Sequence, residues 1–354
     1  LNALKRGDSL PYGVRLEEDK GRLLLKQVAA ELGWNNAARK KPYVGKGLAF
    51  CVREIGVGEA NVEVGIKNNG SVYLLTTVPD TGTGSHTIFR QIAGEILGVD
   101  AADIEVIVGT TDHFLTDVAV AASRVTFLAG QATQKAAAGL RDLLLKEAAQ
   151  FFNCAPDSIR AKANSFCAGK QEISFADLAS RAAAVGKKLS VRGNFQIQER
   201  SGTACFFAQA AEVRVDPETG KIEILKMLSA HDTGTVINPL TYQGQVEGGM
   251  VQGLGFALME NLFDDDGKIV STSLGEYKLP NIADVPPLRT LLLEDQDGPG
   301  PFQSKPVGEH SAVPTAPCIA NAVYDAIGTQ ITDLPLSAET IYAALREKAR
   351  AGRS

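Results

Sequence analysis

The run Ser304-Lys305-Pro306-Val307-Gly308-Glu309-His310-Ser311-Ala312-Val313-Pro314-Thr315-Ala316-Pro317 reads as a tight loop that ends by starting a helix. Gly308 lets the backbone turn sharply just before a single carboxylate, Glu309. Thr315 stands where it can cap a helix whose apolar face is Ile319, Val323, Ala326 and Ile327. Glu309 is thereby held on a short, stiff tether. A carboxylate fixed in this way, with its pKa raised by partial burial, is a candidate general base. A solvated loop glutamate is the plain alternative, and what surrounds the run in the chain weighs against it.

Upstream of this run, residues 206–215 and 222–229 flank Asp216-Pro217-Glu218-Thr219-Gly220 and predict a hairpin. A glycine-bearing loop follows, Asp232-Thr233-Gly234-Thr235-Val236-Ile237-Asn238-Pro239, then a helix over 241–259 carrying five glycines (244, 248, 249, 253 and 255), and a strand over 289–293. The first half has the same grammar. Strands over 62–66 and 72–78 alternate around Asn68-Asn69-Gly70, a strong hairpin signal. Next come the glycine-rich turn Pro79-Asp80-Thr81-Gly82-Thr83-Gly84-Ser85-His86-Thr87, a helix with Ile88, Ile92, Ile96 and Leu97 on one face and Ser85 as its cap, a strand over 104–108, and an alanine-rich helix over 127–151. A strand over 189–193 closes the half. The order hairpin, glycine loop, helix, strand, loop, helix occurs twice, so the chain reads as an α+β fold of two repeated β-β-α-β-α units with mixed sheets. The expected units are 45–200 and 201–354, preceded by a connecting arm over 1–44 that holds an amphipathic helix over 23–32 and the basic run Arg39-Lys40-Lys41. The last helix opens at Ser337 and runs through Leu345, with a frayed tail over 348–354.

The 354 residues exceed what one core usually organises, and 44% hydrophobic content supplies two. A net charge of −5, with basic and acidic residues mixed along the chain, leaves no basic stripe for nucleic acid and no polybasic membrane patch. No apolar run reaches the length of a bilayer span, and residues 1–6 lack the order of a signal peptide. The missing initiator Met suggests a chain that begins inside a larger product or is processed. Five scattered cysteines (51, 154, 167, 205 and 318) form no CxxC pair, which argues for free thiols in a reducing, cytoplasmic compartment and against a cluster or zinc site on this chain. The four histidines (86, 113, 231 and 310) show no ligand spacing, so no protein-ligated metal is expected.

Glycine loops feeding helix N-termini present backbone N–H groups to anionic or polar ligands. Residues 81–87, 122–126 and 244–248 qualify, although none has the spacing of a dinucleotide or Walker signature. Gly249 and Gly253 read better as close helix packing. Gln245 either reaches outward to a ligand oxygen or stays a solvated glutamine.

Taken together, Gly244-Gln245-Val246-Glu247-Gly248-Gly249-Met250-Val251-Gln252-Gly253-Leu254-Gly255, Asp232–Pro239 and Lys305-Pro306-Val307-Gly308-Glu309 resemble the molybdopterin-binding part of the xanthine dehydrogenase/aldehyde oxidase family of molybdenum hydroxylases. Ala122-Ser123-Arg124, Gly130-Gln131-Ala132 and Gly82-Thr83-Gly84-Ser85-His86-Thr87 fit the same family in the same order. The resemblance covers the chain from about residue 45 and corresponds to the C-terminal half of the family's molybdenum portion. It implies a molybdenum-cofactor-binding fold and the oxidative hydroxylation of an aldehyde or N-heterocycle such as a purine, with water as the oxygen source. Glu309 would be the base. The cofactor would be molybdopterin with its molybdenum, alone or as the cytosine dinucleotide, held by Gln245, by Ala122, Ser123, Arg124 and Thr126, and by Gly82, Thr83, Gly84 and Ser85. Phe50 would be the aromatic that packs on a planar substrate, against the plain reading of a core strand phenylalanine. Partners are implied as well: a complementary molybdopterin-binding chain, a 2Fe–2S subunit and an FAD subunit. The rival from another class is a noncatalytic scaffold or assembly subunit that keeps the fold and binds no cofactor. The chain departs from the family pattern at Thr83, where glutamine is usual, and at His310, where proline is usual. His310 would either act beside the base and the substrate or be an exposed loop histidine.

Overall fold

The computed structural model of the chain describes residues 3–10, 13–34, 41–114, 119–199 and 204–351, so Arg39 and Lys40 of the basic run and the tail 352–354 lie outside the described residues. The chain enters through α1 (Gly21–Leu32) and the long strand β1 (Val44–Glu54). Two sheets then follow one recipe. In the first, β2 (Gly58–Ile66) and β3 (Val72–Thr76) make an antiparallel hairpin, α2 (Ser85–Leu97) crosses over, and β4 (Glu105–Val108) returns parallel to β3. The hairpin turn is built by Asn69, whose side chain accepts the Ser71 N–H at 3.0 Å, and by Gly70 at φ 85°. The long helix α3 (Val125–Phe152) covers this sheet. A small three-stranded sheet, β5 (Arg160–Lys162), β6 (Ser165–Ala168) and β7 (Gln171–Ser174), leads to α4 (Phe175–Ala184), and β8 (Ser190–Ile197) closes the order β4-β3-β2-β8.

The second sheet repeats it. Strands β9 (Ala204–Val215) and β10 (Ile222–Asp232) form the hairpin, α5 (Pro239–Leu258) crosses over, and β11 (Asp264–Asp265) and β12 (Lys268–Ile269) make a short ribbon. Strand β13 (Leu288–Leu293) then lies parallel to β10, and α6 (Thr315–Ile327) and α7 (Ala338–Ala351) complete the chain. The resulting order β13-β10-β9-β1 matches that of the first sheet, and the duplication read as grammar is a duplication of topology.

One strand crosses over. β1 pairs antiparallel with β9 from Val44↔Arg214 to Glu54↔Ala204, so the strand that opens the expected first unit lies in the sheet of the second. Its glycines explain the fit, because a Cβ at Gly45 or Gly47 would fall 2.1 Å from a carbonyl oxygen of α6. The entry segment is also more than an arm. Leu24, Val28 and Leu32, spaced four apart on α1, are buried with Phe206, Leu228 and Ala230 on the sheet. The sheet is thus covered by α1 on one side and by α5 and α6 on the other.

Helix ends differ from expectation in three places. Ser85 and Thr315 are first helical residues without a capping bond, behind Gly84 (φ 74°) and Pro314 respectively. Thr315 instead donates to the Gln209 side chain and to the Ser311 carbonyl, both at 2.8 Å, because it is fully buried between them. At the C-terminus α7 continues to Ala351, so residues 348–351 are helical rather than frayed.

Candidate functional site

A cavity of about 490 Å³ opens where the two repeats meet. Its walls are the first turns of α2 and α3 with the loops before them, the loop before α5 and one flank of α5 from Thr241 to Gln252, and the 304–309 run. The N-terminal residues of α2 and α3 border this space, which favours negative charge there. The walls are cross-braced. The Asn238 side chain caps α5 through the Thr241 N–H at 3.1 Å and donates to Gln91 of α2 at 3.1 Å. Gln131 of α3 donates to the Pro299 carbonyl at 2.8 Å, and Gly234 bridges to Ser304.

Glu309 sits on the cavity wall with its side chain 53% exposed. Its position depends on the other repeat. The Ser123 hydroxyl accepts the Glu309 N–H at 3.1 Å and donates to Glu309 Oε2 at 2.9 Å. Arg53 at the end of β1 donates Nη2–H to the same oxygen at 2.7 Å. Glycine at 308 makes room for Ser123: a Cβ there would lie 2.8 Å from Ser123 Oγ.

A buried polar layer supports the turn from behind. His310 is 2% exposed, which overturns the reading of a surface histidine. Its ring meets Phe207 edge-on, and Phe207 stacks on His231. Burial pushes both imidazoles down to about 3, and at His310 repulsion from His231 and from the Arg53 guanidinium acts in the same direction. Gln209 donates to the Ser311 carbonyl at 2.7 Å, and Ser229 bonds His231 Nε2 at 2.7 Å. Lys305, four residues before Glu309, is locked between Asp232 at 2.7 Å and Glu18 at 2.6 Å. Burial alone would lower its pKa, but Asp232 and Glu18 outweigh burial and hold it raised.

A family model for the molybdopterin cofactor-binding domain matches residues 24–286. The chain belongs to the molybdopterin cofactor-binding domain family. Relatives include the probable hypoxanthine oxidase XdhD of Escherichia coli K12, 30% identical over 86% of this chain and 32% of that protein. The aldehyde oxidoreductase molybdenum-binding subunit PaoC of the same organism is 29% identical over 84% of this chain and 40% of its own length. Among solved structures, quinoline 2-oxidoreductase from Pseudomonas putida 86 shares the fold, with a TM-score of 0.84 and 24% identity over 96% of this chain and 48% of that one. The chain thus spans between a third and a half of the proteins it resembles.

The lining suits a large anionic cofactor of the molybdopterin kind. Three wall atoms are buried without a hydrogen-bond partner: Thr83 Oγ1, Arg124 Nε and Ser304 Oγ. Arg124 is oriented for this role by Nη1, which donates to the Val57 carbonyl at 2.6 Å. On α5, Gly244 and Gly248 face open space with nothing within 4 Å of a Cβ, whereas Gly249 and Gly253 are pressed against Ser311 and Thr315. Two helix glycines therefore make a smooth wall and two make a helix contact.

Of the sequence candidates, Glu309, Gln245, Ser123, Arg124, Thr126, Thr83 and Ser85 line the cavity together. Ala122, Gly82 and Gly84 do not line it; they shape the turns beside it, Ala122 at φ 55°, Gly82 at φ 92° and Gly84 at φ 74°. Phe50 is the correction. Its ring stacks on Phe206 with centroids 6.1 Å apart and packs with α1 in the core on the far side of the sheet from α6, so it is a core strand residue. Arg53, Thr241 and Gln209 went unread in the sequence; only Thr241, three residues after Asn238, carried a local signal, that of a capping site.

Proposed function

We propose that this chain is the molybdopterin-binding portion of a molybdenum hydroxylase acting on an aldehyde or an N-heterocycle such as a purine. Support comes from the family membership, from the named activities of XdhD and PaoC, and above all from one observation. Among the described residues, Glu309 is the acidic side chain lining a cavity walled by the first turns of α2 and α3 and by one flank of α5. When bound, the cofactor supplies the two-electron oxidation. The chain's own residues do the rest. Gln245, Thr83, Ser85 and Arg124 would hold the cofactor's polar and anionic edges, with Ser123 and Thr126 at the start of α3. Glu309 Oε1 would take the proton from a water-derived hydroxyl as that oxygen attacks the electron-poor carbon of the substrate. Thr83 is shorter than the usual glutamine, and its hydroxyl is buried without a hydrogen-bond partner.

The working protein is larger. Because the chain spans only part of its relatives, we assign it a complementary molybdopterin-binding half, and 2Fe–2S and FAD subunits to carry electrons away. Five unpaired cysteines support a reducing compartment, the cytoplasm. Purification of the assembled complex tests the reading. Molybdenum by elemental analysis and pterin fluorescence after denaturation are expected in equal amounts with this chain. A complete, folded complex lacking both would favour the scaffold.

A further inference from the structure

We infer that Arg53 is the positioning residue that selects which oxygen of Glu309 receives the proton. The inference rests on the reading of Glu309 as the base. A carboxylate offers two equivalent oxygens and turns easily about its last bond, so a base held only by its backbone presents either one. Here they are made unequal. Oε2 accepts from Arg53 Nη2 at 2.7 Å and from Ser123 Oγ at 2.9 Å, while Oε1 accepts no hydrogen bond among the described residues. The two donors reach Glu309 from different places. Ser123 sits in the loop before α3, and Arg53 sits near the end of β1, its backbone opposite Cys205 in the antiparallel ladder. The guanidinium is anchored on a strand and its side chain is 32% exposed, so it is a fixed peg in partial contact with solvent. The swap of β1 into the second sheet is what brings Arg53 to this side of the molecule. Arg53 is not among the cavity-lining residues. It acts on the reaction through Glu309.

The step itself is a simple transfer: Oε1 gains the proton, the attacking oxygen loses it, and Oε2 keeps both donors throughout. A pinned base should therefore influence turnover and leave substrate binding alone.

The test is a double-mutant cycle in the assembled, cofactor-loaded enzyme with Arg53→Gln, Arg53→Lys, Glu309→Gln and the Arg53→Gln/Glu309→Gln pair. Expected for Arg53→Gln are a kcat lowered by roughly 10- to 100-fold, KM within about threefold, and molybdenum content unchanged. Arg53→Lys recovers most of the lost kcat, since one charged donor suffices for one bond. Added to Glu309→Gln, the Arg53→Gln change costs nothing further. Losses that multiply in the pair, an unaltered kcat in Arg53→Gln, or a loss of cofactor in both Arg53 variants would each overturn the inference. Near-normal turnover in Glu309→Gln alone would instead overturn the assignment of the base.

Discussion

Lys305 Nζ donates to Asp232 Oδ2 at 2.7 Å, and both side chains are wholly buried. The pair ties the run that carries Glu309 to the end of β10, next to a backbone bond from the Lys305 N–H to the Thr233 carbonyl at 2.8 Å. Glu18 joins at 2.6 Å from the entry segment, and Lys20 reaches Asp232 at 3.2 Å. Removing one member of such a cluster strands the others in low dielectric. Lys305→Met is therefore expected to destabilise the fold by about 3–5 kcal/mol, read by denaturant unfolding. A loss below about 1 kcal/mol would mean that Lys20 alone can carry the carboxylates.

Four of the five glycines of α5 separate into two pairs with opposite responses. A Cβ at Gly253 would sit 2.5 Å from Thr315 Cβ and 2.8 Å from the Ala312 carbonyl, so Gly253→Ala should lower stability by about 1–3 kcal/mol. Gly244 meets nothing within 4 Å, and its replacement by alanine should stabilise the helix by up to about 1 kcal/mol. The same methyl projects from the cavity wall, so Gly244→Ala should lower cofactor content in the assembled complex. Thermal midpoints and molybdenum analysis of the two variants distinguish helix contact from cavity wall.

His231 and His310 both stay neutral in the fold down to about pH 3, whereas in the unfolded chain they protonate near 6.5. Between those values the unfolded state holds more protons, so stability is lost as the pH falls from about 6.5 toward about 3. Each imidazole contributes a slope of about 1.4 kcal/mol per pH unit. The raised carboxyls of Glu18 and Asp295 oppose this trend, so the clean readout is a difference between variants. His310→Phe keeps the aromatic contact with Phe207 and should flatten the acid limb by one imidazole. Parallel curves for the two proteins would show that His310 is protonated in the fold.

Much of this was legible in the sequence because local signals and global topology agree. The Asn69-Gly70 hairpin, the alanine-rich α3 and the recurring order of elements predicted the repeat. Pairing partners carry no such signal: nothing local in residues 44–54 tells that β1 joins β9 and leaves the hairpin that follows it. The same limit hid Arg53, whose interest lies in a contact 256 positions away, and Gln209, 102 positions from the carbonyl it holds. Phe50 was legible only as a strand residue; which face it takes is decided by α1 lying across it, where a Cβ on Gly21 would touch the ring. His310 looked exposed because loop histidines usually are, and the Phe207 ring that meets it edge-on comes from a strand about a hundred positions away.

The most direct measurement is turnover of the assembled, cofactor-loaded complex carrying Glu309→Gln, with molybdenum and pterin quantified in the same preparation. The amide keeps the shape and can still accept from Ser123 and Arg53, but it cannot take up a proton. The expected result is full cofactor content with turnover lowered by about 10²- to 10⁴-fold. Full cofactor content with near-normal turnover would contradict the role of Glu309 as the base.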